Sequence, residues 1–347
     1  MLAAVLHGPN DLRVEDTAEP TTGPGQVKIR VAACGICGSD LHLLRGAGWR
    51  GDSSRPPLVV GHEFAGTVVE SGPGVGRVSI GDPVSVRPLV ACGDCAACKD
   101  GFVNVCARLQ FYGVSPGLAG GMAEYVVVDA DNVHRLPAGL SPAKAALAEP
   151  LAVGVHAARR GLEHGGDTAV ILGGGPIGIA IFLALRGMGS TDVFVVEPSE
   201  ARRDAIRGLG AEIVLDPFEV DIRDELRALT GGRGVDLCFD AAGLPQTFTD
   251  GQRVTARRGR VVIVAGYEQP VTFDPYITLS TEQVITAALA YTREDFERAI
   301  GTVADLDNTS KWVNTLDIRD VINGFQRLSE QRDVKLLVLP QEARAEG

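Results

Sequence analysis

The sequence predicts an α/β protein with two domains. One is β-rich, a partly open antiparallel barrel carrying a four-cysteine lobe; the other is a doubly wound parallel sheet. Three observations predict this. The 347 residues are 45% hydrophobic, enough for more than one packed core. Glycine is abundant at 43 residues and aromatics are scarce at 5%, a composition common where Val/Ile/Ala strands turn tightly into helices. The texture also changes near residue 153, from irregular β runs to alternating strands and helices.

In chain order, "QVKIRVAA", "AGTVVES", "DPVSVRPL" and "MAEYVVVD" are short β runs separated by Gly/Pro/Asp turns, which suits the barrel. From "TAVILG" to "EQVITAALAY", six strands alternate with helices, the pattern of a parallel sheet covered on both faces. The tail holds two amphipathic helices, around "REDFERAIGTVAD" and "DVINGFQRLSE", and a last strand, "VKLLVLP". That strand is expected to return to the first domain. The boundaries are therefore 1–152 with 292–347 for the discontinuous β-rich domain, and 153–291 for the other.

A net charge of -11 argues against nucleic acid or an anionic membrane as partner. "MLAAVLHGPN" lacks the basic n-region of a signal peptide, and no apolar run is long enough to span a bilayer. A cytoplasmic protein is expected. Seven cysteines, an odd number, argue against a disulfide framework, and four of them lie within fifteen residues.

"VILGGGPIG" supplies G-x-G-x-x-G between an apolar strand and a helix, at Gly173, Gly175, Pro176, Ile177 and Gly178. Glycines permit the tight turn and let backbone approach a pyrophosphate; the helix N-terminus adds N–H donors and positive dipole. Glu197 ends the next strand, 197 − 175 = 22 residues on, where a carboxylate accepts from both ribose hydroxyls of NAD and repels a 2′-phosphate. Arg202 and Arg203 follow closely, so NADP stays as the weaker alternative.

"CGDCAACKDGFVNVC" gives C-x2-C-x2-C-x7-C at Cys92, Cys95, Cys98 and Cys106. Four thiolates suit a closed tetrahedral zinc site, which is structural. An iron–sulfur cluster also takes four thiolates and is the minor alternative. A metal-free lobe is disfavoured because exposed free thiols invite oxidation.

"CGICGSDLH" (34–42) is a redox dithiol, half of a metal site, or a turn that happens to hold thiols. It lacks the short βαβ context of a dithiol motif. Downstream stand His62 and Glu63 in "GHEFAG" and Glu149 in "AEPLAVG". Cys37, His62 and one carboxylate would make a three-ligand zinc site with an open position, as catalytic zinc requires. Each of these residues alone reads as ordinary packing; their joint presence favours metal.

With these motifs the chain resembles the zinc-containing medium-chain alcohol dehydrogenases. "GHEFAGTVVESGPGV" (61–75) matches their zinc signature, and "CGICGSDLH", the cysteine lobe and "GGGPIG" fall in the family's order over the whole chain. The resemblance implies a GroES-like catalytic domain, a Rossmann domain, two Zn per chain and NAD. It implies that Cys37 and His62 bind catalytic zinc with Glu149 in the third place, and that Glu63 is the neighbouring carboxylate that exchanges with substrate or water. Which glutamate binds at rest stays open. Asp40 would orient the ligand histidine, Ser39 and His42 would relay the substrate proton, and Arg202 would stand near the adenosine ribose. Cys34 would be a small buried residue. "LAEPLAVGVHA" (147–157) looks like the polyol and diol branch, most like 2,3-butanediol dehydrogenases, with sorbitol and L-threonine dehydrogenases as rivals. A relative that binds nucleotide without catalysis is disfavoured by the complete ligand set. Phe111 and Tyr112 are candidates for the substrate side and equally for packing, and 43–58 departs from the branch. The implied substrate is a small alcohol or diol, and the implied assembly a homodimer or homotetramer paired through the nucleotide domain near 285–292.

Overall fold

The computed structural model describes residues 1–46, 57–190 and 192–341. Most of the divergent 43–58 stretch, namely 47–56, lies outside the described residues. Contacts divide the chain into two compact units. The first is Met1–Glu149 with Ala299–Leu306 and Val313–Gly347; the second is Pro150–Arg298 with Asp307–Trp312.

The first unit is organised on one ten-residue strand, Gln26–Gly35, whose Val27, Ile29, Val31, Ala33 and Cys34 are fully buried. It pairs antiparallel with Glu63–Ser71 along most of its length, with Tyr125–Asp129 over Gln26–Arg30, and with Lys335–Leu339 at Cys34 and Gly35. Two register shifts against Glu63–Ser71 bend the strand, as bulges do where a sheet curls toward a barrel. Pro83–Val86 and Val133–Arg135 extend the sheet on one side and Val313–Asp317 on the other. Val313–Asp317 pairs parallel to Lys335–Leu339, so the sheet is mixed rather than wholly antiparallel. The polar sequence "VNTLD" gives no strand signal, and the neighbouring strand imposes the conformation. A separate three-stranded sheet joins Asp11–Asp16, Leu2–Gly8 and Leu58–Val59. The tail strand "VKLLVLP" thus adds to the sheet that starts at residue 26, a pairing across some 300 positions of sequence.

The second unit holds six parallel strands: Thr168–Leu172, Asp192–Val196, Ile213–Leu215, Val235–Asp240, Thr255–Ile263 and Val284–Ala287. Counted along the chain, their spatial order is three, two, one, four, five, six. This order reverses beside the first strand and opens a crevice at the carboxyl ends, where such sheets bind ligands. Thr168–Leu172 is buried at every residue, as a central parallel strand covered on both faces must be. Cys238 packs into the core with Val170, Leu172, Phe194 and Val261. One polar pin crosses this unit: Asp295 accepts from Arg159 and from Thr292, and bonds His156 Nδ1 at 2.8 Å. Among the described residues no helix is long and apolar enough to cross a membrane.

Candidate metal centres and dinucleotide turn

The cysteine lobe is built almost entirely from tight turns. Cys95 precedes the one-turn helix Ala96–Lys99, and a 3-10 turn, Val103–Val105, brings Cys106 back. The sulfurs of Cys92, Cys95, Cys98 and Cys106 lie within 4.8 Å of one another. Separations are 3.9 Å for Cys92–Cys98, 3.9 Å for Cys95–Cys106 and 3.4 Å for Cys92–Cys106. Four sulfurs about 2.3 Å from one tetrahedral ion stand about 3.8 Å apart, so the lobe fits zinc as it is. Backbone N–H groups of Cys92 and Arg108 point at Cys106 Sγ, both at 3.3 Å. N–H groups of Ala107 and Cys98 hold the Cys95 thiol down at about 6. Amides aimed at sulfur favour the thiolate, which is the form that ligates metal.

The second cluster draws on distant segments. Cys37 leads into the helix Gly38–Leu44 and Glu63 opens the strand Glu63–Ser71, with His62 just before it. The ligand atoms of Cys37, His62 and Glu63 lie within 4.8 Å of one another. Glu149, in the first turn of the helix Ala148–Leu162, is outside that tight group, but it is buried and its charge acts on the same ammonium, Lys335, that Glu63 contacts. Asp40 anchors the loop by accepting from the Cys37 N–H at 2.9 Å, and its other oxygen faces His62 Nδ1 at 3.5 Å. That facing leaves Nε2 as the ring nitrogen available to a metal. Glu63 Oε1 is buried without a hydrogen-bond partner, and Glu63 Oε2 is held by the ammonium of Lys335. A buried oxygen left unpaired is costly, about 1–3 kcal/mol, and a cation at the site would satisfy it. Burial alone would lower the proton affinity of His62; the charges of Asp40 and Cys37 outweigh it and hold the imidazole well above its usual range. Surroundings that favour a proton on this ring favour a metal in its place.

Sequence reasoning missed Lys335. It lies in the returning strand, 1% exposed, donates to the Ile36 carbonyl at 3.0 Å and forms an ion pair with Glu63. Its only sequence signal is a charged residue opening an otherwise apolar run, "VKLLVLP". Burial alone would lower its pKa, and the charges of Glu63 and Cys37 raise it instead.

Ser39 Oγ lies 3.2 Å from Cys37 Sγ, and His42 follows three residues later on the same short helix. Phe111 and Tyr112 are both buried, in keeping with the packing alternative, and the Tyr112 hydroxyl accepts from the Asp129 N–H at 3.0 Å. Burial pushes that phenol up to about 12. Cys34 is fully buried, and burial raises its thiol well above the usual range.

In the second unit the glycine run lies where the first parallel strand ends. Gly173 has φ +104, and Gly175 caps the helix Pro176–Gly187, with Pro176 and the half-buried Ile177 in its first turn. A Cβ on Gly178 would stand 1.9 Å from the Gly173 carbonyl, so only glycine lets this helix close on its turn. Glu197 is 2% exposed; its two oxygens accept from the N–H groups of Gly174 at 2.7 Å and Ser199 at 2.8 Å. Arg202 approaches Glu197 to 3.9 Å, and its Nε has no hydrogen-bond partner among the described residues. Arg203 is committed to Asp216, at 2.7 Å, and to the carbonyls of Glu197 and Pro198.

A family model described as alcohol dehydrogenase GroES-like domain matches residues 23–138, and one described as zinc-binding dehydrogenase matches residues 176–305. The (R,R)-butanediol dehydrogenase of Bacillus subtilis (strain 168) is 36% identical over 353 residues, covering 98% of this chain and 100% of that protein. The L-threonine 3-dehydrogenase of Pyrococcus horikoshii is 38% identical over 255 residues, 74% of this chain and 72% of the relative. The crystal structure of 2R,3R-butanediol dehydrogenase from Bacillus subtilis matches with a TM-score of 0.88 and 35% identity, over 98% of this chain and 99% of that one.

Proposed function

This chain belongs to the zinc-containing medium-chain alcohol dehydrogenases, oxidoreductases acting on CH–OH groups, and from that premise we propose that it is an NAD-dependent dehydrogenase of secondary alcohols and vicinal diols, of the 2,3-butanediol/acetoin kind. The observation that carries the reading is the half-buried Cys37 with the buried His62 and Glu63, whose ligand atoms lie within 4.8 Å of one another. Likeness to butanediol dehydrogenase over the whole chain supports the diol; the 38% likeness to a threonine dehydrogenase keeps an amino alcohol as the second reading, with sorbitol-type polyols beside it.

Two zinc ions per chain fit the two clusters, one held by the four lobe thiolates and one by Cys37, His62 and a glutamate. Bound at the second cluster, zinc would supply a Lewis acid that draws an alcohol pKa toward about 7. The chain's own residues do the rest. Asp40 fixes the His62 ring. Ser39, beside the Cys37 sulfur, accepts the hydroxyl proton, and His42, one helical turn on, passes it to solvent. The glycine turn receives the pyrophosphate, and Glu197 accepts from the ribose hydroxyls. Hydride acceptance is the chemistry of the nicotinamide itself.

NAD is favoured over NADP because Glu197 is a buried carboxylate and Arg203 is already paired with Asp216, leaving Arg202 alone to meet a 2′-phosphate. A homodimer or homotetramer is supported by the edge strand Val284–Ala287 and by Tyr276 and Leu279, exposed on the preceding helix Pro275–Thr281. Clustered free thiols suit a reducing compartment, and we place the protein in the cytoplasm. A panel of diols, polyols and amino alcohols, followed by NADH formation, tests the assignment. The highest kcat/KM is expected for 2,3-butanediol; a highest value for L-threonine or sorbitol overturns the diol reading.

A further inference from the structure

The fourth parallel strand, Val235–Asp240, ends on a carboxylate that is fully buried. Asp240 pairs with Leu172, the last residue of the first strand, so it stands beside the glycine turn where the strand order reverses. Four donors fill it. Its Oδ1 accepts from the N–H groups of Ala242 and Gly243, both at 3.0 Å. Its Oδ2 accepts from the Thr247 hydroxyl at 2.9 Å and from the Tyr267 hydroxyl. Three of these donors follow Asp240 within 7 residues. Tyr267 comes instead from the segment 264–274 after the fifth strand, which forms neither helix nor strand. Backbones meet here as well. A Cβ on Gly243 would stand 2.5 Å from the Gly266 carbonyl, and one on Gly173 would stand 3.2 Å from Ala242 Cβ. The loop after the fourth strand is thus wedged between the glycine turn and the segment that carries Tyr267. The Tyr267 ring packs edge-on with Phe248, centroids 6.4 Å apart. Burial, and after it the bond to Asp240, raises the phenol well above its usual range, so the hydroxyl stays a donor.

We propose that Tyr267 is a positioning residue for the nicotinamide half of the dinucleotide: its bond to Asp240 holds the segment 264–274 as one wall of the crevice that receives that half. Sheets of this strand order bind a dinucleotide as two mononucleotide halves across the reversal point. The first three strands carry the glycine turn and Glu197, which take the adenosine half. The fourth and fifth strands end in the two loops that Asp240 and Tyr267 tie together, and these face the other half. Without the Tyr267 hydroxyl, the loop after the fourth strand keeps its own bonds to Asp240, whereas 264–274 loses its side-chain tie to it. The proposal rests on the NAD reading above and adds a residue that acts on one half of the cofactor alone.

Y267F removes the hydroxyl and keeps the ring against Phe248. Titration calorimetry on the zinc-loaded enzyme compares NADH with ADP, which has the adenosine and pyrophosphate but no nicotinamide nucleoside. For Y267F the Kd of NADH is expected to rise about tenfold, the scale of one bond to a charged acceptor, while that of ADP stays within about twofold of wild type. Equal losses for both ligands would show a merely structural role, and an unchanged Kd for NADH would show none; either overturns the proposal. Should Y267F not fold, hydrogen exchange on the wild-type chain carries the test. NADH is expected to slow exchange of the amides in 264–274, and ADP to leave it unchanged. Equal protection by the two ligands, or none by NADH, overturns the proposal. A wild-type chain that binds neither ligand instead overturns the dinucleotide reading, a separate failure from any of these.

Discussion

The two clusters of the first unit differ in how far the chain travels to make them. Cys92, Cys95, Cys98 and Cys106 lie within fifteen residues and are gathered by turns. Cys37, His62, Glu63, Glu149 and Lys335 span nearly the whole chain, and the Lys335–Ile36 bond alone bridges 299 positions. The local cluster needs little beyond its own loop and offers four equivalent thiolates, a closed shell suited to holding a fold. The distant cluster depends on the finished sheet and mixes thiolate, imidazole and carboxylate, with Lys335 ion-paired to the carboxylate of Glu63. In the mixed set Glu63 Oε1 is buried without a hydrogen-bond partner, an acceptor left for a cation.

The largest test of this contrast is Cys37→Ser. It is expected to lower kcat at least about a thousandfold, the scale of losing Lewis-acid activation. Zinc should fall from two per chain to one, while NAD binding, followed by fluorescence, is retained. Activity that survives, or loss of both zincs, breaks the division of labour.

Next comes Cys95→Ser in the lobe. It should lose the other zinc and lower the melting temperature by about 10 °C, which corresponds to roughly 4 kcal/mol in a domain of this size. At low temperature its kcat should stay near wild type. An unchanged melting temperature with lost activity would exchange the roles of the two clusters.

Glu197→Ala probes the nucleotide turn apart from both. Losing a charged acceptor costs about 1.5–3 kcal/mol, so KM for NAD should rise roughly tenfold to a hundredfold with little change in kcat, and the preference over NADP should narrow. Unchanged KM would remove Glu197 from the ribose.

The smallest effect sharpens the contrast from outside. Asp295 also gathers distant residues, His156 and Arg159, yet its oxygens are satisfied without an ion. Burial alone would raise its pKa; bonds from His156, Thr292 and Arg159 hold it well below the usual carboxylate range. A depressed folded pKa stabilises above the unfolded value, about 3.9, and that contribution is lost as pH falls through the folded pKa. Asp295→Asn should therefore melt a few degrees lower near neutral pH, with the gap closing as the acid limb is reached. A gap that widens toward low pH would contradict this.

The sequence displays what is local. The glycine turn is legible because Gly173, Gly175 and Gly178 serve backbone needs at fixed offsets, and the cysteine lobe because a loop of fifteen residues can enclose one ion. Lys335 is not legible: its position opposite Glu63 follows from a pairing between strands at opposite ends of the chain, which no local period encodes. Tyr112 reads as substrate side or packing alike, because an aromatic in a glycine-rich stretch suits both; its hydroxyl accepts from the Asp129 backbone, a long-range bond that no local pattern shows. Val313–Asp317 was hidden because polar residues can occupy a strand when a neighbour supplies the ladder.

The strand Lys335–Leu339 also carries an order of events. On the ribosome, the thiolate loop, complete at Cys106, emerges 335 − 106 = 229 residues before Lys335, and it can capture its ion at once. The other centre must wait for that strand. A nascent chain stalled before it would hold one centre loaded and the other with Glu63 lacking its ion-pair partner.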